Sequence, residues 1–210
     1  MALNKKGILI AIEGIDGSGK STLANNLFTL LKNKNHDVIL TKEPGDTPLG
    51  KEIRHLVQTQ KISIDPLAEY LLFAADRAQH FAQVIIPALE QKKIIISDRL
   101  SDSSLAYQGY GRGLDCQKII DINHWAMHNI QPDITIFVKV PVKIALERVS
   151  QRREISAFEK KAFLARVAHG FETLYKNRTD VIVLDGQQNP DMLVCAAYNT
   201  FKKMVNNPLL

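Results

Sequence analysis

Ile8-Leu9-Ile10-Ala11-Ile12-Glu13-Gly14-Ile15-Asp16-Gly17-Ser18-Gly19-Lys20-Ser21 joins a short apolar run to a glycine-rich loop ending in a lysine and a hydroxyl. The run is β-branched and too short for an amphipathic helix, so it reads as a buried strand. The loop has the spacing G-x-x-x-x-G-K-[ST]. Its glycines let the backbone bend until consecutive N–H groups converge on phosphate oxygens. A helix starting at Lys20 adds the positive end of its dipole. Lys20 is then in reach of the β- and γ-phosphates of a nucleotide, and the Ser21 hydroxyl can ligate Mg²⁺. The strand–loop–helix context is what this motif requires. It assigns Gly14, Ile15, Asp16, Gly17, Ser18, Gly19, Lys20, Ser21 and Thr22 to the phosphates of a nucleotide.

Working outward, further runs at 38–41, 94–97, 134–140 and 181–184 repeat the near-continuous apolar character of 8–13. Such runs are expected of parallel strands buried on both faces. Helical patterns fill the gaps near 20–34, 49–60, 66–91, 116–129, 142–153, 156–176 and 190–206. Asp65-Pro66 and Asn189-Pro190 each place a capping side chain before a proline, a helix start signal. This alternation predicts an α/β fold: a five-stranded parallel sheet with helices on both faces. Ligands of such sheets gather at the carboxyl ends of the strands.

The 210 residues predict a single domain. With 45% hydrophobic and 23% charged residues the chain is no disordered polymer. No run approaches the roughly 20 apolar residues of a membrane helix, and the short run after Lys5-Lys6 lacks a cleavage site. The two cysteines, Cys116 and Cys195, have no CxxC spacing, which suits a reducing compartment and argues against zinc. His124 and His128 share a helix face with no evident third ligand. A GTPase switch is disfavoured: Asn33-Lys34-Asn35-His36 breaks N-K-x-D at its last position, and the only D-x-x-G, Asp16 to Gly19, lies inside the phosphate loop. Of the net charge of +5, most falls within 143–166, which holds seven basic and three acidic residues. A chain that binds nucleic acid nonspecifically would spread that charge; here it points to nucleotide phosphates.

The third strand runs into Asp98-Arg99. An aspartate there can hold Mg²⁺ through water, and an arginine fork suits a phosphate; a surface ion pair is the plainer reading of the dipeptide alone. The following stretch to Gly113 is dense in hydroxyl, amide and glycine positions, the pattern of a binding loop. Phe73 and Arg77 lie at i and i+4 on one helix, where a ring beside a guanidinium could hold a flat base. Alone, Phe73 reads as core. Phe163, Val167, Phe171 and Leu174 read as the packed face of another helix.

Taken together these segments resemble the thymidylate kinases of the bacterial type, from about Ile8 to Asp191. The resemblance is carried by Glu13 to Ser21, Thr41-Lys42-Glu43-Pro44-Gly45, Leu72-Phe73-Ala74-Ala75-Asp76-Arg77, Asp98-Arg99 through Ala106-Tyr107-Gln108-Gly109, and Pro132-Asp133. It implies the P-loop NTPase fold of nucleoside monophosphate kinases. It also implies γ-phosphoryl transfer from ATP to dTMP with Mg²⁺ held by Ser21 and Asp98, a cytoplasmic homodimer, and neither nucleic acid nor membrane as partner. Phe73 would stack on thymine, with Arg77, Ser104 and Gln108 at its edge. Tyr107 would face the deoxyribose, Asp16 the 3′-hydroxyl, and Pro44 the sugar. Arg99 would hold the dTMP phosphate beside Arg54. Lys20, Arg99, Asp16 and a lid arginine would carry catalysis. The phosphate loop lacks arginine while 145–153 holds Arg148, Arg152 and Arg153, which resembles the arrangement with a mobile lid, here about 148–158, and Arg152 as the lid arginine. Relatives usually have Asp-Arg where this chain has Ser156-Ala157.

Overall fold

A computed structural model describes residues 7–59, 63–150 and 157–206. The five apolar runs form strands β1 (Ile8–Glu13), β2 (Val38–Lys42), β3 (Ile94–Asp98), β4 (Ile134–Lys139) and β5 (Val181–Asp185). They build one parallel sheet in the order β2-β3-β1-β4-β5, as expected. The register Ile12↔Asp98 sets the end of β3 beside the start of the phosphate loop. The chain leaves β1 toward β2 on one side and returns to β4 on the other. The loops after β1 and β3 therefore border a crevice at the sheet's carboxyl edge.

Successive residues of β1 serve opposite faces. Ile10 and Ile12 pack with Leu23, Leu27, Leu193 and Phe201, from α1 (Lys20–Asn33) and α9 (Pro190–Asn206). Leu9 and Ala11 pack with Phe81, Ile85 and Met127 on the other face. A further cluster joins Phe137 of β4 to Val167, Phe171 and Tyr175 of α8 (Ala157–Tyr175), with α7 (Val142–Ser150) alongside. Burial on both faces explains why the strands show no polar alternation.

Three expected elements differ in detail. The helix predicted over 66–91 is α3 (Pro66–His80), a π turn over Phe81–Ile85, and α4 (Ile86–Glu90). Pro87 explains the break, because its ring would collide with the carbonyl four residues back in a regular helix, and the widened turn makes room. The helix predicted over 116–129 is α6 (Cys116–Ala126); His128 and Asn129 both adopt positive φ and end it. The stretch after Arg99, expected to be a loop, is α5 (Ser101–Ser104) followed by a π turn over Leu105–Gly111. Tertiary packing overrides its loop-like composition. A Cβ on Gly111 would lie 2.8 Å from the Phe163 ring of α8, and one on Gly170 of α8 would lie 2.7 Å from Tyr110. The remaining helix is α2 (Pro48–Thr59).

Candidate active site

The phosphate loop follows β1 directly. Gly17 and Gly19 hold φ of +84° and +97°, values that only glycine adopts without strain. A Cβ on Gly17 would also stand 2.3 Å from the carbonyl oxygen of Ala145. The N-terminus of α1 has no side-chain cap and no acidic residue in its first turn. Its N–H groups are thus left for an anion. A cavity of about 550 Å³ opens there, lined by Gly17 to Leu23 together with Arg148, Gly186, Gln188 and Pro190. Arg148 donates to the carbonyls of Gly17 (3.3 Å) and Gly186 (3.0 Å), tying α7 and the loop after β5 to the phosphate loop.

A second cavity of about 350 Å³ lies on the other side of Asp16. Its lining includes Asp16, Pro44, Arg54, Phe73, Arg77, Arg99, Ser104, Tyr107 and Gln108, so the structure brings together every acceptor-site residue predicted from the sequence. Phe73 is half-buried there, and Tyr107 lines the same cavity. Arg99 donates to Asp16 (2.5 Å), Ser103 Oγ (2.9 Å) and the Gly14 carbonyl (3.3 Å), and its guanidinium lies 4.9 Å from the Tyr107 ring centroid. It does so from a backbone φ of +76°, an uncommon value for an arginine. Asp16 also meets Lys20 at 3.5 Å. Arg54 donates to the Pro44 carbonyl (2.8 Å).

Arg77, expected at the edge of thymine, also has several partners within the protein. It is 2% exposed and already donates to Glu43 Oε2 (2.9 Å), Asn123 Oδ1 (2.6 Å) and Ser104 Oγ (3.2 Å). Glu43 in turn meets His80 at 2.9 Å. Gln108 donates to Glu69 (2.9 Å), which also binds Arg112 (3.0 Å). Glu43, Glu69 and Arg112 belong to the cavity and sequence reasoning left them unassigned. Glu69 precedes Phe73 by one helical turn, a signal that could have found it. Phe163, read as core, lines the cavity rim and carries the Arg112 guanidinium 5.1 Å from its centroid; Val167 and Phe171 of the same series are fully buried. Arg152 and most of the predicted lid lie outside the described residues.

Charge is tuned at the junction of the cavities. Burial would raise the Asp16 carboxyl, but Arg99 and Lys20 outweigh it and hold it down at about 2. Burial and the neighbouring Arg99 lower the Lys20 ammonium to about 8, which leaves it mostly protonated at neutral pH. Burial raises Asp76, on the cavity wall, to about 6, with Glu43 adding to the shift. Ser21 Oγ donates to Asp98 Oδ2 at 2.5 Å, while Asp98 Oδ1 is buried without a hydrogen-bond partner. A hydroxyl beside a carboxylate with an unused buried oxygen is a hard oxygen donor set, the kind Mg²⁺ takes alongside phosphate oxygens and water.

The family profile described as Thymidylate kinase matches residues 12–195. A thymidylate kinase of Halothermothrix orenii is 41% identical over 202 residues, covering 94% of this chain and 97% of that protein. One from Carboxydothermus hydrogenoformans is 41% identical over 188 residues, covering 89% and 92%. The crystal structure of thymidylate kinase from Ehrlichia chaffeensis superposes with a TM-score of 0.79 at 32% identity, covering 93% of this chain and 99% of that one.

Proposed function

The chain belongs to the thymidylate kinase family, and from that premise we propose which of its residues carry the chemistry. The enzyme phosphorylates dTMP to dTDP with ATP as donor. The observation that supports our assignment is the meeting of the two cavities at the phosphate loop, where Asp16, Lys20 and Arg99 lie within ion-pair distance.

ATP phosphates occupy the uncapped N-terminus of α1, with Thr22 in its first turn. Arg148 and the 186–188 loop face the base. Thymine stacks on Phe73, with Arg77, Ser104 and Gln108 at its edge. The deoxyribose rests between Pro44 and Tyr107, with its 3′-hydroxyl on Asp16. Arg99 holds the acceptor phosphate, with Arg54 nearby. That phosphate is already an anionic nucleophile, so the protein need not supply a strong base; its task is positioning and charge stabilisation. Lys20 remains protonated to stabilise the charge that develops on the transferring group. Ser21 and Asp98 hold Mg²⁺, which when bound neutralises phosphate charge. Arg152 serves from a lid over 148–158 that closes on ATP and excludes water. The domain is a single unit in this reading.

Leu49, Leu56, Leu67 and Leu71 are exposed on α2 and α3, and Trp125 of α6 is 83% exposed. We assign this apolar face to a homodimer. No described helix is long and apolar enough to cross a membrane. Cys116 and Cys195 are both free thiols, which fits the cytoplasmic location we assign; the same reading gives the enzyme neither nucleic acid nor membrane as partner.

A substrate panel of dTMP, dUMP, AMP, CMP and thymidine, read by coupled ADP formation, tests the reading. dTMP should turn over fastest, and chelation of divalent metal should abolish the reaction until Mg²⁺ is restored. Faster turnover of AMP, CMP or thymidine than of dTMP would refute it.

A further inference from the structure

We propose that Glu13 and Ser103 are positioning residues for Arg99, so that the last side chain of β1 aims the arm that grips the acceptor phosphate. The proposal rests on the assignment of Arg99 to that phosphate made above.

Glu13 is fully buried immediately before the phosphate loop, and the nucleotide-binding motif makes no use of its side chain. Its Oε1 accepts from the backbone N–H groups of Leu100 (2.8 Å) and Ser103 (3.2 Å). Those two bonds cap α5. Oε2 does something else: it accepts the hydroxyl proton of Ser103 at 2.5 Å. Ser103 has one proton to give, and Arg99 has only donors. The Ser103 oxygen can therefore accept from Arg99 Nη1, as it does at 2.9 Å, when its own proton points elsewhere. Ionised Glu13 turns that proton away from Arg99. The two bonds form a directed chain from Arg99 through Ser103 to Glu13, and charge at its end strengthens each link.

The backbone supports the same aim. Arg99 is held at positive φ while its N–H reaches the Ile12 carbonyl (3.0 Å) and its own carbonyl accepts from Ser97 Oγ (2.6 Å). Charged and titratable groups face Glu13 from each neighbouring element: Arg99 after β3, Asp102 of α5, Lys20 of α1 and Tyr175 of α8. Arg178 neutralises Asp102 at 2.8 Å, which limits repulsion of an ionised Glu13.

The test compares dTMP with thymidine, which lacks the phosphate, by calorimetric titration. Glu13→Gln reverses the polarity at Oε2, since an amide N–H then points at Ser103 Oγ in competition with Arg99. It should weaken dTMP about tenfold while thymidine and ATP stay within about twofold. Ser103→Ala should show the same phosphate-selective loss, and the double variant should be no worse than the poorer single one. Ser103→Ala decides the matter if Glu13→Gln does not fold. Unchanged dTMP affinity in Ser103→Ala, or equal loss of dTMP and thymidine in either variant, would overturn the proposal. Arg99→Ala separates the two levels. If it leaves dTMP affinity intact, the assignment of Arg99 itself fails; if it loses dTMP selectively while Ser103→Ala does not, only the positioning role fails.

Discussion

Arg77 shows how one residue can be read correctly by neighbourhood and incompletely by role. Sequence spacing sets it beside Phe73, and both line the acceptor cavity. Its partners Glu43 and Asn123 come from β2's end and α6, too far along the chain for any local pattern to reveal. Removing the guanidinium strands a buried carboxylate. Arg77→Ala should therefore cost about 3–5 kcal/mol of stability besides weakening dTMP more than ATP, as urea denaturation and titration will show. Lys20→Ala should leave the fold intact by circular dichroism and lower kcat by about a hundredfold or more, because charge stabilisation at the phosphoryl group is lost. Glu13 supplies a pH signature. Burial and Asp102 raise its carboxyl from an ordinary 4.5 to about 7 in the folded protein. The folded state then binds the extra proton between those values, so Glu13's contribution falls as pH rises from 4.5 to 7. Relative to Glu13→Gln, the wild type should lose on the order of 3 kcal/mol across that window and nothing further above it, measured by denaturation at a series of pH values. The residues of the phosphate loop were legible because the chemistry that needs them also fixes their spacing, whereas Asp98 and Arg99 took on a role only through the segments around them and the family resemblance. Arg148 was not singled out, since its contacts to Gly17 and Gly186 depend on where α7 and β5 end in space.

Strands were the elements most plainly written in the chain. An apolar run buried on both faces has no competing interpretation once its length is short, and the observed strands match the predicted ones to within a residue at each end. Helices followed periodicity, except where a proline or a left-handed pair intervened. The two π turns were not legible, because each answers a packing demand: room for Pro87 in one case, contact with α8 in the other. At that second contact local propensity and packing oppose each other. Gly170→Ala would gain up to about 1 kcal/mol of helix propensity. The added methyl would meet Cβ and the ring of Tyr110 within 3.0 Å, close to its own backbone where the side chain cannot swing aside. Overpacking at about 1–3 kcal/mol should win. The variant should melt earlier, and its KM for dTMP should rise because Tyr107 and Gln108 ride on the displaced turn.

At the level of the whole molecule, one loop divides two cavities, and the apolar side chains exposed on α2, α3 and α6 make up the face assigned above to a homodimer. Leu71→Glu places a charge in that face. It should shift the sedimenting species from dimer to monomer at micromolar concentration, with little change in the stability of an isolated chain because the side chain is already 47% exposed. The bulk composition could exclude a membrane helix or a disordered polymer from consideration, but not reveal which apolar side chains the fold leaves exposed. The left-handed backbone at position 99 bears on anyone who would engineer this enzyme for heat tolerance. Judged by conformational preference alone, glycine or asparagine suits that φ better than arginine, and a design protocol rewarded only for a higher melting temperature would favour the exchange. It would deliver a sturdier fold that has lost its hold on the phosphate it must receive, so position 99 should be frozen before any such optimisation begins.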